Sequence, residues 1–125
     1  MIKTNTPSSI TRISDLLQSI SPEPRLQILQ AIGTGEACVC HLEAVLGYRQ
    51  AYISQQLMAL RQADLVSTRR EGKYIFYRLE KPEIMEMLKL AARLARLDAS
   101  TVATRADLPR GSCGCPTCSL SFVTQ

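Results

Sequence analysis

With 125 residues, 46% of them apolar, and a formal charge of +4, the chain has the size and composition of one domain with a single core. No run approaches the roughly 18 apolar residues that a bilayer crossing needs, and Met1-Ile2-Lys3-Thr4-Asn5-Thr6-Pro7 lacks the apolar stretch of a secretion signal, so a cytoplasmic protein is expected. One histidine, no nucleotide-binding loop and no carboxylate pair with an evident partner leave nucleophile–base chemistry almost nothing to work with, so an enzyme is not expected.

Ile10, Ile13, Leu16, Leu17 and Ile20 recur at helical spacing and predict a first amphipathic helix of about three turns. Ser21-Pro22-Glu23-Pro24 then restarts the chain with a serine cap, prolines in the first turn and an early carboxylate. The second helix carries Leu26, Ile28, Leu29 and Ile32 before Gly33-Thr34-Gly35 stops it. A third, short helix is expected from about Cys38 to Leu46, with Leu42, Val45 and Leu46 facing inward and Gly47 as its stop. A fourth runs from about Arg49 to Ala63 and buries Ile53, Leu57 and Leu60. The period then changes: Leu65 to Arg70, a turn at Glu71-Gly72, and Lys73 to Leu79 read as a β-hairpin rich in β-branched and aromatic residues. A last helix, from near Pro82 to about Leu97, is apolar almost all round. One small domain cannot bury that whole surface, so a homodimer built on the last and first helices is expected. The expected fold is therefore mainly α with a β-hairpin wing over residues 1–98. Residues 99–125 form a Cys-rich tail with little periodicity, expected to be mobile without metal.

Two short helices joined by a tight Gly-containing turn and followed by a basic hairpin make a helix-turn-helix with a wing. The exposed side of the fourth helix offers Arg49, Gln50, Ser54 and Gln55, which hydrogen-bond base edges or phosphates where a recognition helix enters the major groove. Arg69, Arg70 and Lys73 cluster at the hairpin tip, where a wing touches the DNA backbone or minor groove. On an isolated helix such residues are ordinarily a solvated face; their succession along helix, turn, helix and wing points to double-stranded operator DNA. Eleven of the fifteen basic residues are arginines, whose planar fork suits phosphate and guanine, although it also serves surface ion pairs.

Several segments resemble the ArsR/SmtB metalloregulators: Pro24-Arg25-Leu26-Gln27-Ile28-Leu29 their second helix, Cys38-Val39-Cys40-His41-Leu42 their third-helix metal box, Gln50-Ala51-Tyr52-Ile53-Ser54-Gln55-Gln56-Leu57 with Leu60 their recognition helix, and Arg70-Glu71-Gly72-Lys73 with Tyr77-Arg78-Leu79 their wing. The resemblance, over residues 10–97, implies a homodimeric winged-helix repressor that leaves DNA when it binds ions. His41 replaces the usual Asp, Glu43 stands where arsenic-sensing members often carry a third cysteine, and the last helix lacks the Asp-x-His pattern of a zinc site that some members place there.

The five cysteines fall in two groups, Cys38 with Cys40, and Cys113 with Cys115 and Cys118. Odd in number and clustered, they point away from a secreted disulfide framework and towards metal or redox chemistry. Thiolate is the soft ligand, and a helix N-terminus favours its ionisation. Taken alone, Cys38 reads as a small core residue one turn before Leu42, and His41 as a surface or capping residue; paired with Cys40 in the family box, Cys38 reads as a ligand. As residues i and i+2 of the third helix, the two sulfurs point about 200° apart, so one ion can hold both only if the first turn of that helix is frayed or distorted. That strain would bias the dimer away from its DNA-competent arrangement. Cys113, Cys115 and Cys118 either fold back, within the chain or across the dimer, to complete a three- or four-sulfur site, the arrangement favoured here, or form a site of their own. An all-thiolate set suits arsenite or antimonite with three sulfurs, and cadmium, lead or zinc with up to four. Two rivals remain: a thiol redox switch on the same fold, and a metal-storage or chaperone domain that does not bind an operator.

Overall fold

Ser8 opens α1 (Ser9–Ile20): its hydroxyl accepts a hydrogen bond from the Thr11 amide at 3.1 Å, satisfying one of the first-turn donors that a helix leaves over. The computed structural model describes residues 6–102, so Cys113, Cys115 and Cys118 lie outside the described residues. α2 (Glu23–Ile32) is not capped by serine as expected. Ser21 closes α1, its amide bonded to the Leu17 carbonyl, and Pro22 takes the cap position of α2 without a side-chain bond. Pro24 falls in the first turn, where its missing N–H leaves no intrahelical bond unmade.

The third helix also starts later than expected. Ala37–Cys38 forms a short strand, β1, and α3 covers Val39–Leu46. The helical pattern is overridden by pairing: β1 runs antiparallel to a later strand, with Ala37 opposite Tyr77 and Cys38 opposite Phe76, and both β1 residues are buried. Gly47, at φ 81°, stops α3 in the left-handed conformation that glycine adopts without a Cβ clash. α4 (Gln50–Gln62) follows after Arg49 at its cap. β2 (Val66–Glu71) and β3 (Tyr74–Leu79) make the wing, and the sheet order is β1-β3-β2. Glu71 pairs with Tyr74, so the two-residue turn is Gly72-Lys73, one residue beyond the expected Glu71-Gly72, and Gly72 takes φ 61° as its first central residue. α5 (Glu83–Leu94) buries Ile84, Met85, Leu88 and Ala92 and leaves Leu90 and Leu94 exposed. A 3-10 turn follows at Ala99–Val102. No helix among the described residues is long and apolar enough to cross a membrane.

Ile28, Leu29, Leu42, Ile53, Leu57, Leu60 and Leu65 are almost completely buried, so α2, α3 and α4 share one core with the start of the wing. Polar links across that core fix where α4 sits. Arg25 Nε donates to Gln56 Oε1 at 2.9 Å and Arg25 Nη1 to the Ser19 carbonyl at 3.1 Å, while Tyr48 Oη donates to Gln27 Oε1 at 2.7 Å. The substitution Tyr48→Phe, which removes only that last bond, is expected to lower the unfolding free energy by about 1 kcal/mol, because the half-buried Gln27 oxygen loses its partner. Urea titration of the two proteins checks this; an unchanged midpoint would show that the bond contributes nothing to placing α4.

Candidate nucleic-acid interface and thiol site

Cys38, extended at φ −87° and ψ 167°, occupies the cap position of α3, and its sulfur turns back to accept from the His41 amide at 3.4 Å. Cys40 is the second residue of the helix. The two sulfurs stand 2.9 Å apart. The opposition of about 200° holds for two residues of one helix, and Cys38 lies outside it. α3 needs no distortion to bring the pair together, so the strain mechanism expected from the spacing loses its geometric basis. His41 is buried rather than exposed at the surface. Cys38 is buried against Phe76, while Cys40 is half-buried beside it.

Two sulfurs are what this part of the molecule offers an ion: among the described residues, no group of three or more Cys, His, Asp or Glu side chains is placed to hold one. A tetrahedral thiolate site with bonds of about 2.3 Å puts neighbouring sulfurs roughly 3.8 Å apart. The pair fits such an ion after opening by about 0.9 Å. Three or four thiolates would then require sulfur from outside the described residues.

The sulfur pair lines a cleft of about 390 Å³ that also holds Gln50 and Ser54 of α4, Lys73 at the wing turn, and Tyr77. Three of the residues read as DNA-contacting therefore share a cleft wall with the thiols. Arg49, Gln50, Ser54 and Gln55 are all exposed on the first turns of α4. Arg70 and Lys73 are exposed on the wing, with Lys73 Nζ 5.5 Å from the Tyr74 ring centre.

Arg69 is placed differently. Its Nε donates to both Glu36 oxygens at 3.1 and 3.3 Å, its Nη2 to Glu36 Oε1 at 2.9 Å, and its Nη1 to Glu71 Oε1 at 3.1 Å. The guanidinium also lies 4.6 Å over the Phe76 ring. Those hydrogen bonds from Arg69 hold the Glu36 carboxyl below the usual carboxylate range, against an opposing effect of burial, and the positive charges of Arg69 and Arg78 act in the same direction as the bonds. Nothing local in the sequence marks Glu36 as a partner for Arg69. It stands 33 positions from Arg69, and only the β1–β3 pairing makes them neighbours.

The family model "Bacterial regulatory protein, arsR family" matches residues 22–68. The Biofilm growth-associated repressor of Agrobacterium fabrum is 40% identical over 79 residues, covering 63% of this chain and 68% of that protein. The transcriptional activator HlyU of Vibrio cholerae is 39% identical over 79 residues, covering 63% of this chain and 73% of its own length. Its solved structure is similar at a TM-score of 0.64 with 35% identity, covering 71% of this chain and 97% of that one; its reduced form is similar at 0.62 with 36% identity, over 68% and 90%. The structure of the AntR antimony-specific transcriptional repressor gives a TM-score of 0.64 at 27% identity, over 76% of this chain and 86% of that one.

Proposed function

Because the chain belongs to the ArsR family of bacterial regulatory proteins, we propose that it represses transcription from an operator and lets go of the DNA when a thiophilic ion is captured at Cys38 and Cys40. The observation that carries this reading is the 2.9 Å approach of the two sulfurs on the wall of a cleft shared with Gln50, Ser54 and Lys73. α4 enters the major groove with Arg49, Gln50, Ser54 and Gln55 towards the bases and backbone, and Arg70 and Lys73 of the wing meet the flanking phosphates. Cys113, Cys115 and Cys118 supply the sulfurs that complete a three- or four-thiolate set, from the same chain or its partner in a homodimer. Arsenite, antimonite, cadmium, lead and zinc are the candidate inducers; one relative of this fold is an antimony-specific repressor. An ion between the sulfurs pushes them apart on the cleft wall, and the same wall carries α4 and the wing turn, so capture and DNA reading compete for one local arrangement.

A second reading, oxidation of the thiols in place of ion capture, is favoured by a specific observation: the Cys38 and Cys40 sulfurs already stand 2.9 Å apart. HlyU, with its separately solved reduced form, stands beside it. The two readings separate in one titration. Reduced, metal-free protein is bound to labelled duplex from the promoter of its own gene, followed by anisotropy, and challenged with arsenite, antimonite, Cd(II), Pb(II), Zn(II) or peroxide in turn. Release by one of the ions under reducing conditions is expected; release by peroxide alone would replace ion capture with the redox switch, and the absence of salt-sensitive binding to any duplex would sink both.

A further inference from the structure

Arg69 looks like a wing cation aimed at DNA, yet two carboxylates and an aromatic ring already engage its guanidinium fork. Glu36 takes the Nε–Nη2 edge in the side-by-side geometry that a phosphate would use, Glu71 takes Nη1, and the Phe76 ring covers the flat face. From this we infer that Glu36 is an internal competitor for DNA phosphate: it neutralises Arg69 and withholds it from the backbone, leaving Arg70 and Lys73 as the phosphate contacts of the wing. The inference rests on the DNA-binding reading but not on what the thiols sense.

The physical basis is exchange between like ligands. Carboxylate and phosphate bind the same two N–H donors, so Arg69 cannot serve both along that edge. The pair is solvent-exposed, with side chains 43% and 26% accessible, and exposed ion pairs contribute little to stability, so the competitor can be removed without threatening the fold. Glu36 also sits two residues before Cys38, on the segment that enters β1, which puts the competitor and the sulfur pair on one short stretch of chain.

The test measures operator binding by full-length, reduced, metal-free protein across about 50–200 mM salt for wild type, Glu36→Gln, Arg69→Ala and the double variant. Freeing Arg69 adds one phosphate contact per protomer, so for the homodimer the slope of log K against log salt in Glu36→Gln should steepen by about 1.8, and its affinity advantage over wild type should grow by about twelvefold as salt falls across that range. Arg69→Ala alone should leave the wild-type slope unchanged, and in the Glu36→Gln background it should abolish the gain. The inference is overturned if Glu36→Gln binds no more tightly and with an unchanged slope, or if Arg69→Ala flattens the slope of the wild type, which would mean that Arg69 already reaches phosphate with Glu36 in place. Thermal melts of all four proteins show whether the variants are folded, and a destabilised Glu36→Gln with weakened binding assigns the pair to holding the sheet and overturns the competitor role. Wild-type protein that binds no duplex at all would instead remove the DNA-binding reading itself.

Discussion

Cys38→Ser is expected to bind the operator within about twofold of wild type and to ignore the inducing ion, whereas wild type should lose about 5–150-fold in affinity on adding it, the range of a coupling of about 1–3 kcal/mol. The expectation of intact binding follows from the position of Cys38. It caps α3 from an extended conformation by accepting from the His41 amide, and serine is among the best residues for that task. The buried site, packed on Phe76, loses some apolar contact with the change, but the new hydroxyl has the His41 amide as a ready donor and is not stranded. Fold and DNA reading should survive while the soft ligand is gone. The same anisotropy titration reports both quantities. A Cys38→Ser protein still released by the ion would place sensing elsewhere, the tail cysteines being the next site to test. A protein released by peroxide in wild type but not in Cys38→Ser, with no ion effective in either, would assign Cys38 to a redox switch.

What could be read from the chain, and what could not, divides along the reach of the interactions. Gly47 and the run Ile53, Leu57 and Leu60 announce the turn and the buried face of α4 because both are local, one a backbone conformation and the other a 3.6-residue repeat. The wing is legible for the same reason, apart from a one-residue shift of its turn, which depends on Glu71 finding Tyr74 across the ladder. Cys38 is where the local reading fails: the segment looks helical from Cys38 onward, and only an edge of β3, supplied from nearly forty positions later, turns it into a strand. That single change decides the chemistry, since it converts two sulfurs on opposed helix faces into a pair in contact. Arg69 fails in the same way. Its charge is visible in the sequence, while the carboxylates that occupy it are fixed by sheet pairing and by Glu36 at the end of the α2–β1 connection.

The expected homodimer makes the second large prediction, because it turns on apolar surface that the described residues leave uncovered. α1 buries only Ile20, and Ile10, Ile13, Leu16 and Leu17 remain exposed, Ile10 at 71%. On α5, Leu90 and Leu94 recur one turn apart, with Leu97 beyond, and Leu94 is 79% exposed. Rows of this kind at helical spacing on two helices are the signature of surface that a partner covers. Replacing Ile13 and Leu94 together by glutamate should therefore yield a folded monomer, since both side chains already face solvent within one chain and surface changes of this kind cost within about 0.5 kcal/mol each. Sedimentation should show half the wild-type mass. Operator affinity should fall by at least about 100-fold, because two half-sites held in one dimer bind as a linked pair and lose that linkage on separation. A double variant that still sediments as a dimer would move the interface away from α1 and α5. A monomer that binds as tightly as wild type would mean that one winged helix reads the operator alone, and that any effect of sulfur chemistry on DNA binding acts within a single chain, through the cleft wall that Cys38 and Cys40 share with Gln50, Ser54 and Lys73.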